Sequence, residues 1–166
     1  MVGSEIFKRK YVLDSIDKWI EELKVLSKIA RVEPHLAYTA FVFGFKNKFT
    51  FIMRTIPNIS EELKRLDKAI DEYLLYYILN GYKFTYTERL WFSLPPRLGG
   101  LGIIIPSEVS DTYYNNSKNV TAVLTNRIIN QYDDKADRGT MNTKAIKGNI
   151  RIEKRKREDE KKKYIK

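Results

Sequence analysis

The chain has 166 residues, 43% of them apolar and 31% charged, with a formal net charge of +10, one histidine and no cysteine. That length and apolar share are enough for a single domain with a real core. Without cysteine there can be no disulfide, thiol nucleophile or cysteine-ligated zinc, and one histidine rules out a histidine metal cluster within one chain.

Met1 to Lys10 carries charges and no long apolar stretch, so no signal peptide is expected. Nowhere do about 18 uninterrupted apolar residues occur, so no membrane span is expected either. The chain reads as intracellular, cytoplasmic or nuclear.

Lys8 to Val32 reads as the first helix. Val12, Ile16, Trp19, Ile20, Leu23, Leu26 and Ala30 recur at three- and four-residue steps, so one face is core. Pro34 suits a first helical position, and Leu36 to Phe45 follows as a strongly apolar helix that Gly44 is expected to end or kink. Lys46 to Thr55 fits neither the helical nor the strand period cleanly and is read as a short helix ending by Ile56-Pro57. Ser60 is the expected N-cap of the next helix, with Glu61 and Glu62 opposing its dipole. Leu63, Leu66, Ile70, Tyr73, Leu74, Tyr77 and Ile78 form its inner face, Lys64, Arg65, Lys68, Asp71 and Glu72 its outer one, and Asn80-Gly81 stops it.

Thr85 and Glu88 make a capping box, which predicts a short helix over Tyr86 to Ser93. It runs into Leu94-Pro95-Pro96-Arg97-Leu98-Gly99-Gly100-Leu101-Gly102, where two prolines end a helix and three glycines free the backbone to turn. Ile103 to Ile105 is then a buried run closed by Pro106. Ser107 or Ser110 is expected to cap a further helix, and Val120 to Ile129 looks helical behind an ambiguous entry at Asn115, Asn116, Ser117 and Asn119.

Beyond Asn130 apolar residues thin out. Lys144 to Lys166 holds eleven Lys/Arg against four acidic residues, a net +7, leaving only +3 for the rest. The fold class is therefore mainly α, a small helical bundle over residues 1–130 with a Pro-Pro/Gly-Gly pivot. Residues 131–166 are a charged tail, expected to be disordered or an isolated helix.

Few constellations point to chemistry. Tyr132-Asp133-Asp134 lacks the spacer and the apolar flanks of a two-metal polymerase turn, so it reads as a solvated turn. Gly99 to Gly102 lacks the preceding strand and following helix N-terminus of a phosphate cradle, so it reads as a structural turn. His35 reads either as a phosphate contact or as a cap at a helix start, with capping favoured. Lys46, Lys48 and Arg54 flank Phe49 and Phe51, which is either a backbone-binding surface with stacking groups or core aromatics beside solvated cations. Arg97, on the pivot, suits a phosphate or carboxylate clamp. Arg151, Lys154, Arg155, Lys156 and Arg157 are the strongest electrostatic feature, a cluster of the kind that binds nucleic acid by counterion release, serves as a nuclear import signal or is simply a solvated charged helix, and it is diluted by Glu153, Glu158, Asp159 and Glu160.

Ser93 to Ile103 resembles the signature of Leu-Pro, a basic residue and Gly-Gly-Leu-Gly plus an aliphatic found downstream of the palm in retroelement reverse transcriptases. Further blocks extend the resemblance upstream: Gly3-Ser4, Trp19, Leu26-Ser27, Ile29-Ala30, Pro34-His35, Ala37-Tyr38, Ala40-Phe41, Gly44 and Met53 to Pro57. Their order and approximate spacing are similar to those in DIRS-like and related elements, over roughly Gly3 to Thr125.

The resemblance implies a thumb and connection. The helices from Lys8 to Phe45 would be thumb-like, Lys46, Lys48 and Arg54 would face the nucleic-acid backbone, and Pro95 to Gly102 would be the hinge. It also implies that the fingers and palm, with the aspartates that hold divalent metal in a full-length relative, belong before Met1. The chain is thus expected to be non-catalytic by itself and to need no cofactor. Its expected partner is an RNA–DNA hybrid or other duplex, bound weakly and without sequence specificity. Two alternatives stand beside this: a helical module whose face, left open by the missing palm, meets a protein, or a decayed fragment with no selected function.

Overall fold

The computed structural model describes residues 2–130 and 138–165. Among them are six helices and a single 3-10 turn, with no strand, so the chain is a small, mainly α bundle. None of these helices is long and apolar enough to cross a membrane.

Helix α1 (Val2–Val32) buries Val12, Ile16, Trp19, Leu23, Leu26 and Ala30, the stripe its periodicity predicts. Helix α2 (34–55) starts at Pro34 and runs as Pro34–Ala40, a π turn over Phe41–Phe45, and Lys46–Thr55. Gly44 therefore does not end the helix but lies inside the π turn, where an added Cβ would meet nothing within 4 Å. The extra residue of a π turn shifts the phase of the helix beyond it. Within Lys46–Thr55 the buried Phe49, Ile52 and Met53 keep helical spacing, and the period is blurred by Phe51, apolar but 67% exposed. Phe41, Phe45 and Phe49 stack along α2 at centroid spacings of 5.5 and 6.2 Å, and Trp19 of α1 meets Phe49 edge-on at 6.3 Å.

Helix α3 (60–78) carries a second π turn, Ile70–Leu75, between Ser60–Ala69 and Tyr76–Ile78. It stops where Asn80 (φ 53°) and Gly81 (φ 82°) turn left-handed, with the Gly81 N–H bonded to Tyr76 O at 2.7 Å. Ser60 is not its N-cap. It is the first helical residue, and its hydroxyl donates to Ser107 O at 2.7 Å instead. Helix α4 (Tyr86–Ser93) has the predicted capping box, with Thr85 and Glu88 bonded in both directions.

After α4 the Pro-Pro-Gly segment makes a 3-10 turn (Pro96–Leu98) and doubles back on the helix end. Gly99 and Gly102 have φ of 82° and 68°. The N–H groups of Leu101 and Ile103 bond Phe92 O and that of Gly102 bonds Leu94 O, so the loop satisfies carbonyls that the helix end leaves open. A Cβ on Gly100 would lie 2.1 Å from Leu94 O, too close for any side chain. The glycines serve a turn, as expected, and Tyr38 of α2 ties it down by donating to Leu101 O at 2.7 Å.

Pro106 opens α5 (Pro106–Asn130), a single long helix. Ser107 and Ser110 lie inside it, at its second and fifth residues, and are not caps, and the Asn-rich entry at 115–119 does not interrupt it. The second half of α2 and the first of α3 both pack on α5, while α1 packs on α2 and α3. Helix α6 (Arg138–Ile165) packs on α4 and α5. The tail within the described residues is thus helical but not isolated. It docks because Glu158, only 7% exposed, pairs with Arg97, and Lys161 donates to Ser93 Oγ at 2.8 Å and reaches Glu108 at 3.4 Å.

One buried cation ties the elements together. Arg89 of α4 is 3% exposed. It pairs with Asp71 of α3 at 2.5 Å and donates to Ile103 O at 2.8 Å and Ile104 O at 3.1 Å. Asp71, expected on the outer face, turns inward to meet it. Burial is the main influence on Asp71 and raises its pKa, against the pull of Arg89.

Replacing Arg89 with Met leaves Asp71 without its partner and two carbonyls without donors. The expected loss is about 3 kcal/mol of stability, the low end for a broken buried pair because Asp71 keeps a third of its exposure. Without Arg89 the carboxyl pKa rises further. A raised carboxyl pKa favours the fold when protonated and disfavours it as pH climbs through the folded value. Urea unfolding should therefore show a larger deficit at about pH 7 than at about pH 4.

Candidate functional site

A groove of about 740 Å³ runs between α2, the glycine turn, α5 and α6. Its floor is apolar: Val42 comes from α2, Leu101 and Ile104 from the segment Arg89 and Tyr38 hold in place, and Val109, Tyr113 and Val120 from α5. Its rim is cationic. Lys46 and Arg54 reach it from α2, and Lys147, Lys154, Arg157 and Lys161 from α6.

The rim from α6 follows from helical spacing. Lys147, Ile150, Lys154, Arg157 and Lys161 recur at steps of three and four, so they share one face, and that face meets the groove. Arg151, Arg155 and Lys156 fall elsewhere on the helix, are exposed, and do not line the groove. Of the tail cations singled out from the sequence, Lys154 and Arg157 belong to the site and the other three to the outer surface.

The four cations proposed from the body of the chain divide in the same way. Lys46 is half-buried on the groove. Burial first, and then the neighbouring Lys154 charge, holds its ammonium below the ordinary lysine range. Arg54 lies over the Tyr113 ring, 5.7 Å from its centroid, at the groove edge. Lys48 is off the groove and paired with Glu22 of α1 at 2.5 Å. Arg97 clamps a carboxylate, that of Glu158.

The two phenylalanines between these cations differ in burial. Phe49 is fully buried in the core, Phe51 is 67% exposed, and neither lines the groove. His35 is exposed in the first turn of α2, and no side-chain cap bond is made there. Tyr132, Asp133 and Asp134 lie outside the described residues.

Sequence reasoning missed Lys147 and Lys161, whose seven-residue spacing with Lys154 was the available signal, and the aromatic floor residue Tyr113. Lys161 is partly buried, which lowers its pKa, while Glu108 beside it acts in the opposite direction. Lys46, Arg54, Lys147, Lys154 and Arg157 have no carboxylate within ion-pair distance among the described residues. Lys46 and Lys154, neither with a carboxylate partner, face each other across the groove with like charges and make its rim electropositive. Among the described residues no cluster of His, Asp or Glu could hold a metal ion.

Because α6 is held mainly by polar contacts, removing one should free the helix without unfolding the bundle. Glu158→Ala is expected to speed amide hydrogen exchange across residues 144–165 by about tenfold, on the scale of a lost charge-assisted hydrogen bond, with α1 to α4 unchanged. Exchange measured by mass spectrometry reads both regions at once.

Comparison with family models, curated proteins and solved structures found no match to this chain.

Proposed function

We propose that this chain is a non-catalytic helical module, akin to the thumb and connection of a retroelement reverse transcriptase, that binds the nucleic-acid backbone without sequence specificity. The observation that carries it is the uncompensated rim of Lys46, Arg54, Lys147, Lys154 and Arg157 on one groove. Phosphates are the abundant polyanion such a rim would neutralise, and neutralising them releases counterions whatever the base sequence. The ordered sequence blocks support the parentage, and the Pro-Pro-Gly turn they centre on is the element that shapes the groove floor.

Binding of a labelled RNA–DNA hybrid to the full chain should fall by about a hundredfold between 50 and 200 mM salt, the slope expected for three to four phosphate contacts. Lys46→Gln should lower the salt slope by roughly one, and Lys48→Gln, whose lysine is already paired, should leave it unchanged. If only the triple change Arg151→Gln, Arg155→Gln and Lys156→Gln weakens binding, the outer tail is the binder and the groove is not.

A second reading rests on a different observation. Val25, Ile29 and Val32 lie on one face of α1 at steps of four and three, and are 59%, 39% and 77% exposed. An apolar stripe on the side away from the core suits a protein partner. On this reading the chain self-associates or aggregates as concentration rises, and Ile29→Lys with Val32→Lys abolishes it. A monodisperse monomer in sedimentation velocity at high concentration would count against it.

A further inference from the structure

We infer that the groove is built for unpaired bases, so that the chain's preferred nucleic acid is single-stranded; the inference rests on the backbone-binding reading above. A duplex offers a protein its phosphates and sugars, while its flat base faces are stacked inside and its pairing edges are used. Against such a ligand the cationic rim would suffice and the apolar floor would have no role.

The floor is the feature a duplex leaves unexplained. Val42, Leu101, Ile104, Val109 and Tyr113 are half-buried within the bundle, and the portion left open faces the groove. Its volume of about 740 Å³ lies in the roughly 300–1,000 Å³ range of sites that bury most of a small organic group. Arg54 lying over Tyr113 adds a guanidinium and an aromatic ring at the edge, both of which stack on bases. Apolar floor and cationic rim together match the two halves of a nucleotide.

Glu158 supplies the polar part. Its Oε2 is taken by Arg97, which neutralises the carboxylate, but its Oε1 is buried with no hydrogen-bond partner. A buried acceptor left unpaired is costly, and an arriving N–H would relieve that cost. Every base carries an N–H donor on its pairing edge; in a duplex those hydrogens are taken up by pairing, and only the second amino hydrogens of A, C and G remain, in the grooves.

The test compares three ligands on the unmodified full chain at low salt: a DNA strand of about twelve nucleotides, the same length with abasic sites throughout, and the base-bearing strand annealed to its RNA complement. The base-bearing single strand is expected to bind at least about tenfold tighter than either of the others. Val120→Trp, which fills the floor, should remove that advantage. Equal affinity for the abasic and base-bearing strands would overturn the inference. So would a hybrid that binds as tightly as the single strand or more so, while the backbone reading would survive either result. Absence of binding by all three would overturn both.

Discussion

The bundle depends on a hydrogen-bonding debt that Arg89 settles. Ile103 to Ile105 belongs to no helix, with Ile103 fully buried, and no strand is present among the described residues to pair its carbonyls. Buried carbonyls without donors are among the costlier defects a fold can carry. The Arg89 guanidinium takes the place of the missing strand, directing two N–H groups to Ile103 and Ile104 and a third to Asp71. Asp67 and Ser60 extend the seam by bonding the backbone of Ser107. Through this seam α3 and α4 fix where α5 begins, and with it one whole wall of the groove.

The other wall has a different character. Helix α6 brings one apolar residue, Ile150, and a row of cations to a floor that is apolar. Long basic side chains can lie along such a surface by their stems and keep their charge at the opening, which places the ammonium groups at the rim. The arrangement has an electrostatic cost visible at Lys46, whose charge is disfavoured by burial and by Lys154 together. An anion at the rim would reverse the sign of that local field.

Much of the fold was legible because its signals are local. The α1 stripe, the Thr85/Glu88 capping box, the stop at Asn80-Gly81 and the Pro-Pro-Gly turn each depend on a few neighbouring residues. The period of Lys46 to Thr55 was blurred by Phe51, apolar yet exposed. The continuity of α5 was hidden by Asn115, Asn116, Ser117 and Asn119, poor helix formers whose preference is overridden by packing on α2 and α3. Arg89 carries no sequence mark separating it from a surface arginine. At the site, Arg97 was readable as a clamp, but its partner lies 61 residues away, and no local pattern reveals that a helix as charged as α6 docks at all. Pairing in space likewise removed Lys48 from the site and kept Lys46 in it.

The two π turns bear on how the chain tolerates changes of length. Each is a one-residue excess held within a continuous helix, and a residue of α-helix corresponds to about 100° of rotation. Deleting one residue from Phe41–Phe45 would remove that excess and restore regular winding with Phe49, Ile52 and Met53 still facing the core. The same loss in Ile70–Leu75 would keep Tyr76 to Ile78 against α1 and α2. Anywhere else in these helices a single deletion would turn every residue beyond it by about 100°. Loss of one residue is therefore compatible with the fold at the two π turns and in the connections at 56–59 and 79–85, where rotation is not transmitted down a helix.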